Sequence, residues 1–378
     1  LLSSCGLFKK KDLTEIHASM RVATYNTSLF QRNEGGLIEK LSNDKDTQAM
    51  QVARVIRHIR PDIILLQEFD YDKGGTALDL FRTNFLTNLA LGADTIQYRY
   101  GMAFPSNTGV VSELDINGDG KVKAPADAFG FGYFEGQYGF VILSRYPFDS
   151  AFIRTFQQFL WADMPGAAMP LDTTGQPYYE KEVWQQLRLS SKNHVDLTVS
   201  LPKGEMLHLL LSHPTPPVFD GPEDRNGCRN HDEIRLWKDY IHDASYLVDD
   251  KGIAGGLKAG SHFVIMGDMN ADPLDGDSKD RAILQLLEDK KVHQGVAGGN
   301  LVPSSEGGKM YNRRKNDKGD PSWDTSFFGL RVDYVLPDAG SKIKASGVFW
   351  PVTGSNELEI KKGAPSDHLL VWIDMELP

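Results

Sequence analysis

A series of apolar runs in this chain end in, or begin from, side chains that bind hard cations or carry protons. "ATYN" closes on Asn26, "LLQE" on Glu68, "LLLSH" on His213, and "VIMGDMN" on Asp268 and Asn270. "RVDY" carries Asp333, and "SDH" puts Asp367 and His368 directly before the last apolar run. Carboxylate and amide oxygens suit Mg²⁺, Mn²⁺ or Ca²⁺, whereas zinc prefers cysteine and histidine. An ion held by one or two carboxylates commonly keeps waters and completes its shell with phosphate oxygens. Two histidines move protons near neutral pH. With no serine or cysteine nucleophile motif beside them, the chemistry expected is metal-assisted attack of water on phosphorus.

Each residue taken singly has an ordinary explanation. Asn26 reads as a turn residue, Glu68 as a helix cap or surface group, His213 before Pro214 as a strand end. Asp333 reads as a backbone partner, and Asp367 with His368 as an Asx turn. Six such coincidences in order along nearly 350 residues are what these separate explanations do not account for.

The elements that must position these groups follow from periodicity. Strands are expected at 21–25, 61–68, 140–144, 194–201, 206–213, 262–266, 331–336, 344–350 and 369–375. Helical spacing covers 47–60 (Val52, Val55, Ile56, Ile59), 76–90 (Leu78, Phe81, Phe85, Leu89), 229–248 (Ile234, Trp237, Tyr240, Ile241) and 278–289. Residues 157–190 form a mixed insert rich in Pro and Gly. Strands alternate with helices early and dominate late, which predicts two sheets packed face to face with helices outside.

The chain has 378 residues, 40% of them hydrophobic, enough for a large core. No run of eighteen apolar residues is present, so no span is expected. The net charge of −10, from 41 basic and 51 acidic residues, gives no general attraction to nucleic acid and fits a protein that gathers divalent cations. Two cysteines imply no disulfide framework. Cys5 in "LLSSCG" matches the end of a bacterial lipoprotein signal, where the cysteine is lipidated. The expectation is an exported protein at the periplasm or cell surface, with residues 1–20 as a tether and 21–378 as one domain.

In order, "RVATYN", "PDIILLQE", "SRYPF", "LLLSH", "VIMGDMN", "RVDYVL" and "SDH" resemble the motifs of the endonuclease/exonuclease/phosphatase superfamily, over about residues 20–378. "GQYGFVILSRYPF" and "HPTPPVFDG" are similar to a secreted bacterial branch. The resemblance implies an α+β fold, a four-layer αββα sandwich of two mostly antiparallel sheets with helices outside. It implies that Glu68 ligates a catalytic Mg²⁺ or Mn²⁺, helped by Asn26 and Asp367. Asp268 and Asn270 would bind the phosphate and orient water, or hold a second ion. His368 would act as general base or as electrostatic partner of the phosphate, with Asp333 holding its ring. His213 would steady the phosphoryl oxygens or protonate the leaving group. Met269 departs from the family's usual aromatic at that position, without touching a ligand.

The activity implied is phosphodiesterase or phosphatase action on a phosphorylated small molecule, lipid or nucleic acid. The membrane is reached through the lipid anchor only, and no obligate protein partner is inferred. The alternatives are an extracellular nuclease and an inactive, calcium-stabilised binding module.

"DINGDGKV" places Asp115, Asn117, Asp119 and Gly120 at positions 1, 3, 5 and 6 of a calcium loop. Ala126 stands at position 12, and Asp127, one residue later, is the substitute. A structural Ca²⁺ within the insert at 112–130 is the expectation; a plain Gly/Asp turn is the alternative. Lys192 and His194 in "SSKNH" either lie near the phosphate or start a strand. "NRRKNDKG" (312–319) is the best local basic patch.

Overall fold

The computed structural model describes residues 19–312, 317–354 and 365–377. Eleven strands form two sheets among these residues. The first contains β1 (Ser19–Asn26), β2 (Ile63–Gln67), β3 (Tyr100–Ala103), β4 (Phe140–Ser144), β10 (Ile343–Val348) and β11 (Val371–Glu376), in the order β10-β11-β1-β2-β4-β3. The second runs β5-β6-β7-β8-β9, from β5 (Arg154–Thr155), β6 (His194–Ser200), β7 (Met206–Ser212), β8 (His262–Asp268) and β9 (Asp333–Pro337). Each sheet is antiparallel except for one internal parallel pair, β1/β2 in the first and β7/β8 in the second.

Alternation explains which face of the first sheet goes where. Val22, Ile63, Leu65 and Ile142 join Val195, Leu197, Leu209 and Val264 of the other sheet in one core. The intervening residues Ala23, Tyr25, Ile64, Leu66, Val141 and Leu143 pack on the opposite face, against helices α2 (Thr47–Ile59) and α3 (Thr76–Phe81). Preceding these is the short α1 (Gly36–Leu41). Helix α2 starts where Asp46 accepts from the Ala49 amide and stops at Arg60, which turns left-handed at φ 55°. Its buried Val52, Val55, Ile56 and Ile59 contribute about 1.5–3 kcal/mol each. On the second sheet, α5 (Arg225–Ile241) follows the short α4 (Lys181–Trp184) and buries Ile234, Trp237, Tyr240 and Ile241. The architecture is therefore the expected αββα sandwich.

Three helical expectations shift. The stretch at 76–90 breaks into α3, a π-helical turn over Arg82–Leu86 and a 3₁₀ turn at Leu89–Leu91, whose start is capped by Asn88. The helix at 229–248 starts four residues earlier and ends at Ile241; Asp243 turns to φ 56° and its carboxylate takes the Gly256 amide. The helix at 278–289 is reduced to a turn at Lys279–Arg281 and a short helix at Leu284–Leu287, because Asp280 and Arg281 both sit at positive φ. In each case side-chain bonds to the backbone compete with the helical ladder, which periodicity does not register. No helix among the described residues is long and apolar enough to cross a membrane.

Candidate active site

The topology brings the chemical residues to one edge. Because β1 and β2 are parallel, Asn26 and Gln67 are register partners, and Glu68 follows Gln67 directly. Parallel β7 and β8 likewise deliver His213 and Asp268 to the same end of the second sheet. The antiparallel neighbours begin where those strands finish: Asp333 pairs with Asp268, and β11 starts at Val371 opposite Thr24, two residues before Asn26. Glu68 (φ 54°) and Asn270 (φ 51°) both hold left-handed backbone just past their strands. Such conformations are costly for residues other than glycine and persist only where the surroundings impose them.

The sheets are joined at this edge by a side-chain chain. His368 Nδ1 lies 2.9 Å from Asp333 Oδ2, which also accepts from the Thr325 hydroxyl at 2.8 Å. His368 Nε2 faces Asp268 Oδ2 at 3.7 Å, and His213 Nε2 approaches the same oxygen at 3.4 Å. Asn26 donates its amide to that oxygen at 3.0 Å, and the Asn270 backbone N–H caps Oδ1 at 2.9 Å. Burial opposes a charge on His368, but Asp333, Asp268 and Asp367 outweigh it and push the imidazolium up to about 10. His213 goes the other way, to about 4, through burial and the nearby Lys192 ammonium. Asp268 is held well below the ordinary carboxylate range: burial raises it, but His368, His213 and Asn26 prevail. At neutral pH the pair is therefore one cationic and one neutral histidine around an ionised aspartate.

Glu68 stands beside this chain. Burial lifts its carboxyl to about 7, while His368 and a hydrogen bond from Asn26 pull it down. Asn26 thus bridges Glu68 and Asp268, while its Oδ1 accepts from the Ser28 amide at 3.1 Å. Asp367 is exposed and takes the Ser28 hydroxyl at 2.9 Å. Ser366 donates to the Asn26 carbonyl at 2.8 Å and accepts from the His368 amide at 3.1 Å, which fastens "SDH" onto the end of β1. Every residue of the sequence-derived catalytic and metal sets lies on this edge.

The donor set fits a hard divalent cation. Glu68, Asp268, Asp333 and Asp367 offer carboxylate oxygens, and Asp333 Oδ1 is buried without a hydrogen-bond partner among the described residues. Asp268, Asp333 and His368 also bring one donor atom each within 4.8 Å of one another, so this buried group could hold a metal ion. His368 contributes there only if it gives up its proton, and the two carboxylates beside it oppose that loss.

Several participants were not legible as such. Thr325 gives its hydroxyl to Asp333 and accepts from the Val332 and Asp333 amides, each at 3.0 Å. Asn230 Nδ2 ties the Thr215 carbonyl (2.8 Å) to the Met269 carbonyl (2.9 Å). Glu233 accepts from the Ser191 and Thr215 amides, both at 2.6 Å. A signal existed: Asn230 and Glu233 fall on the apolar stripe of α5, four residues ahead of Ile234 and Trp237 respectively, and both are fully buried. Gly267 belongs here too, since a Cβ would overlap the Ser212 carbonyl where β8 passes β7.

The insert at 112–130 has no regular strand and is held by isolated bridges, Val111 to Ala128 and Thr108 to Gly130. Asp115 accepts from the Asp119 and Gly120 amides, Asn117 from Asp119, and Asp119 from Lys121. Asp127 is buried and takes the Ile116 and Lys123 amides at 2.8 and 3.0 Å. Cys5 and residues 313–316 of the basic patch lie outside the described residues.

No curated protein matches the chain. Among solved structures it is similar to an endonuclease/exonuclease/phosphatase from Beutenbergia cavernae, at 18% identity and a TM-score of 0.52, over 95% of this chain and 72% of that one. It is also similar to an endonuclease/exonuclease/phosphatase family protein from Leptotrichia buccalis (15% identity, TM-score 0.47, 95% and 100% covered) and to truncated Caenorhabditis elegans TDP2 (14%, 0.46, 95% and 98%). Identities this low speak for the fold alone. The model of the Endonuclease/Exonuclease/phosphatase family matches residues 23–368, nearly the whole chain, and the chain belongs to that family.

Proposed function

We propose that this protein is a divalent-metal-dependent phosphoester hydrolase that uses activated water. One observation carries the reading: Asp333, His368, Asp268 and His213 form a continuous buried chain across the two sheets, with Glu68 and Asn26 against it. Glu68 and Asp367 would hold Mg²⁺ or Mn²⁺, assisted by Asn26. When bound, such an ion polarises phosphoryl oxygen and acidifies water.

The residues themselves do the rest. Asp333 keeps the proton on His368 Nδ1, so the ring offers Nε2–H and a positive charge to a phosphoryl oxygen. An imidazolium is no base at neutral pH, so His368 serves as the electrostatic partner. Asp268, ionised and pinned by Asn26 and Asn270, orients the attacking water. His213 is neutral and steadies phosphoryl oxygen from the second sheet. The substrate is a phosphorylated small molecule, lipid or nucleic acid. The net charge of −10 argues against a long nucleic-acid track.

Hydrolysis of bis-p-nitrophenyl phosphate with and without EDTA tests the proposal. Rates should vanish on chelation and return with Mg²⁺ or Mn²⁺; a His368→Ala rate equal to that of the unsubstituted protein would end the enzymatic reading and leave a binding module. Export and lipid anchoring rest on "LLSSCG", and mass spectrometry of Cys5 from a membrane fraction is their test. A structural Ca²⁺ at Asp115, Asn117, Asp119 and Asp127 is part of the proposal; calorimetric Ca²⁺ titration of Asp119→Ala against the unsubstituted protein decides it.

A further inference from the structure

The segment before β6 presents an ammonium whose purpose the reading above does not use. Lys192 is 7% exposed, and the hydrogen bond it makes is long, 3.5 Å from Nζ to the Pro214 carbonyl. The same carbonyl takes the Asn270 side-chain amide at 3.1 Å, so Lys192 and Asn270 converge on one oxygen, immediately after His213. Burial pulls the Lys192 pKa down, and Glu233, Asp268 and Glu68, all within electrostatic reach of Nζ, oppose that and favour the charged form. An ammonium has three donors, and burying it without a close anion is expensive.

The placement is built rather than accidental. Ser191 N–H is held by Glu233, the Lys192 carbonyl accepts from the Asn107 amide at 2.9 Å, and Asn193 donates to the Pro105 carbonyl at 2.9 Å. His194 Nε2 reaches the Glu233 carbonyl at 2.9 Å. A Cβ on Gly130 would overlap the Ser191 carbonyl, so the insert lies closely over this segment. Glu233 holds Thr215 as well, and therefore sets the spacing between Lys192 and His213.

We propose that Lys192 is a substrate-contacting residue whose ammonium takes a non-bridging phosphoryl oxygen, and that Glu233 is the positioning residue that presents it. The inference rests on the phosphoester hydrolase reading. The anion completes the partners that the fold leaves open on Nζ beyond its long contact to the Pro214 carbonyl. A phosphate is thereby gripped from both sheets, by His368 on one and by Lys192 with Asn270 on the other.

The test uses the full chain, with inorganic phosphate as probe and Mn²⁺ binding as control. Lys192→Met should weaken phosphate binding by tenfold or more and raise KM for bis-p-nitrophenyl phosphate, leaving Mn²⁺ affinity within twofold; Lys192→Arg should recover part of the loss. Glu233→Gln should raise KM more than it lowers kcat, and do so without displacing the Mn²⁺ isotherm. Should the Met variant not fold, the side-chain ¹⁵N resonance of Lys192 in the unsubstituted protein, identified by its absence from Lys192→Arg, should move on phosphate titration. Unchanged phosphate affinity in a folded Lys192→Met, or a resonance that stays still at saturating phosphate, overturns the proposal. Absence of hydrolysis with phosphate binding still dependent on Lys192 overturns instead the hydrolase reading.

Discussion

Asn26 at the end of β1 and Asp268 at the end of β8 belong to different sheets and are joined by a hydrogen bond of 3.0 Å. The Asn26 amide also reaches Glu68, so one side chain sets the distance between the carboxylate expected to hold the cation and the carboxylate expected to orient water. Asn26→Ala should lower kcat/KM by about 10²-fold, the scale on which small misplacement slows catalysis, with circular dichroism unchanged. Asn26→Asp should be worse, because it sets a third negative charge against Asp268 and Glu68. A kcat/KM for Asn26→Ala within a factor of three of the unsubstituted value refutes the bridging role.

Asp333→Asn removes the charge that keeps His368 protonated. The His368 pKa is raised to about 10 in the folded protein, above the ordinary 6.5. The sign follows from linkage: this interaction's stabilisation is fully present below about 6.5 and is lost as pH rises through about 10. In the variant, both the alkaline fall in kcat and the alkaline loss of stability should move toward neutral pH. A pH–rate profile and urea titrations at pH 7 to 10 measure the two separately; an unmoved alkaline limb contradicts the pairing.

His194 predicts the acid side. It is buried between the Ser190 hydroxyl (2.7 Å) and the Glu233 carbonyl, and burial lowers its pKa to about 4. The unfolded chain takes up a proton near 6.5 that the folded chain refuses, so stability falls as pH drops from about 6.5 to about 4, by at most roughly 3 kcal/mol for this residue. His213 acts in the same direction. Urea midpoints should decline across that window, and less steeply in His194→Gln. Parallel declines in both proteins count against His194 as a source.

Glu68→Gln keeps the shape and removes the charge. Mn²⁺ affinity should fall at least tenfold by calorimetry, and hydrolysis should fall with it. Retained affinity would move the seat to Asp268, Asp333 and His368, whose donor atoms lie within 4.8 Å of one another.

Gly267→Ala places a methyl group against the Ser212 carbonyl at φ 153°. The chains must part where His213 and Asp268 leave their strands, and the cost should be about 2 kcal/mol or more in thermal or urea unfolding. An unaltered midpoint would mean that β7 and β8 separate there freely.

Two face-to-face sheets with helices outside could be read from the order of the strands, their period-two patterning and the helical stripe over 47–60, because those patterns are local and survive without knowledge of partners; the αββα layering itself came with the family resemblance. The identities of Asn26, Glu68, His213, Asp268, Asn270, Asp333, Asp367 and His368 were equally readable, since oxygen and imidazole side chains at the tips of apolar runs are out of place in ordinary strands. What no linear pattern contains is which groups share a proton. Only pairing Asp268 with Asp333 in the register of β8 and β9, and docking the two sheets, makes one histidine cationic and the other neutral. The same holds for Lys192, Asn230 and Glu233: their value lies in contacts 15 to 42 residues apart in the chain. Burial and Coulomb interactions depend on distance in space, and that distance exists only once the sandwich has closed.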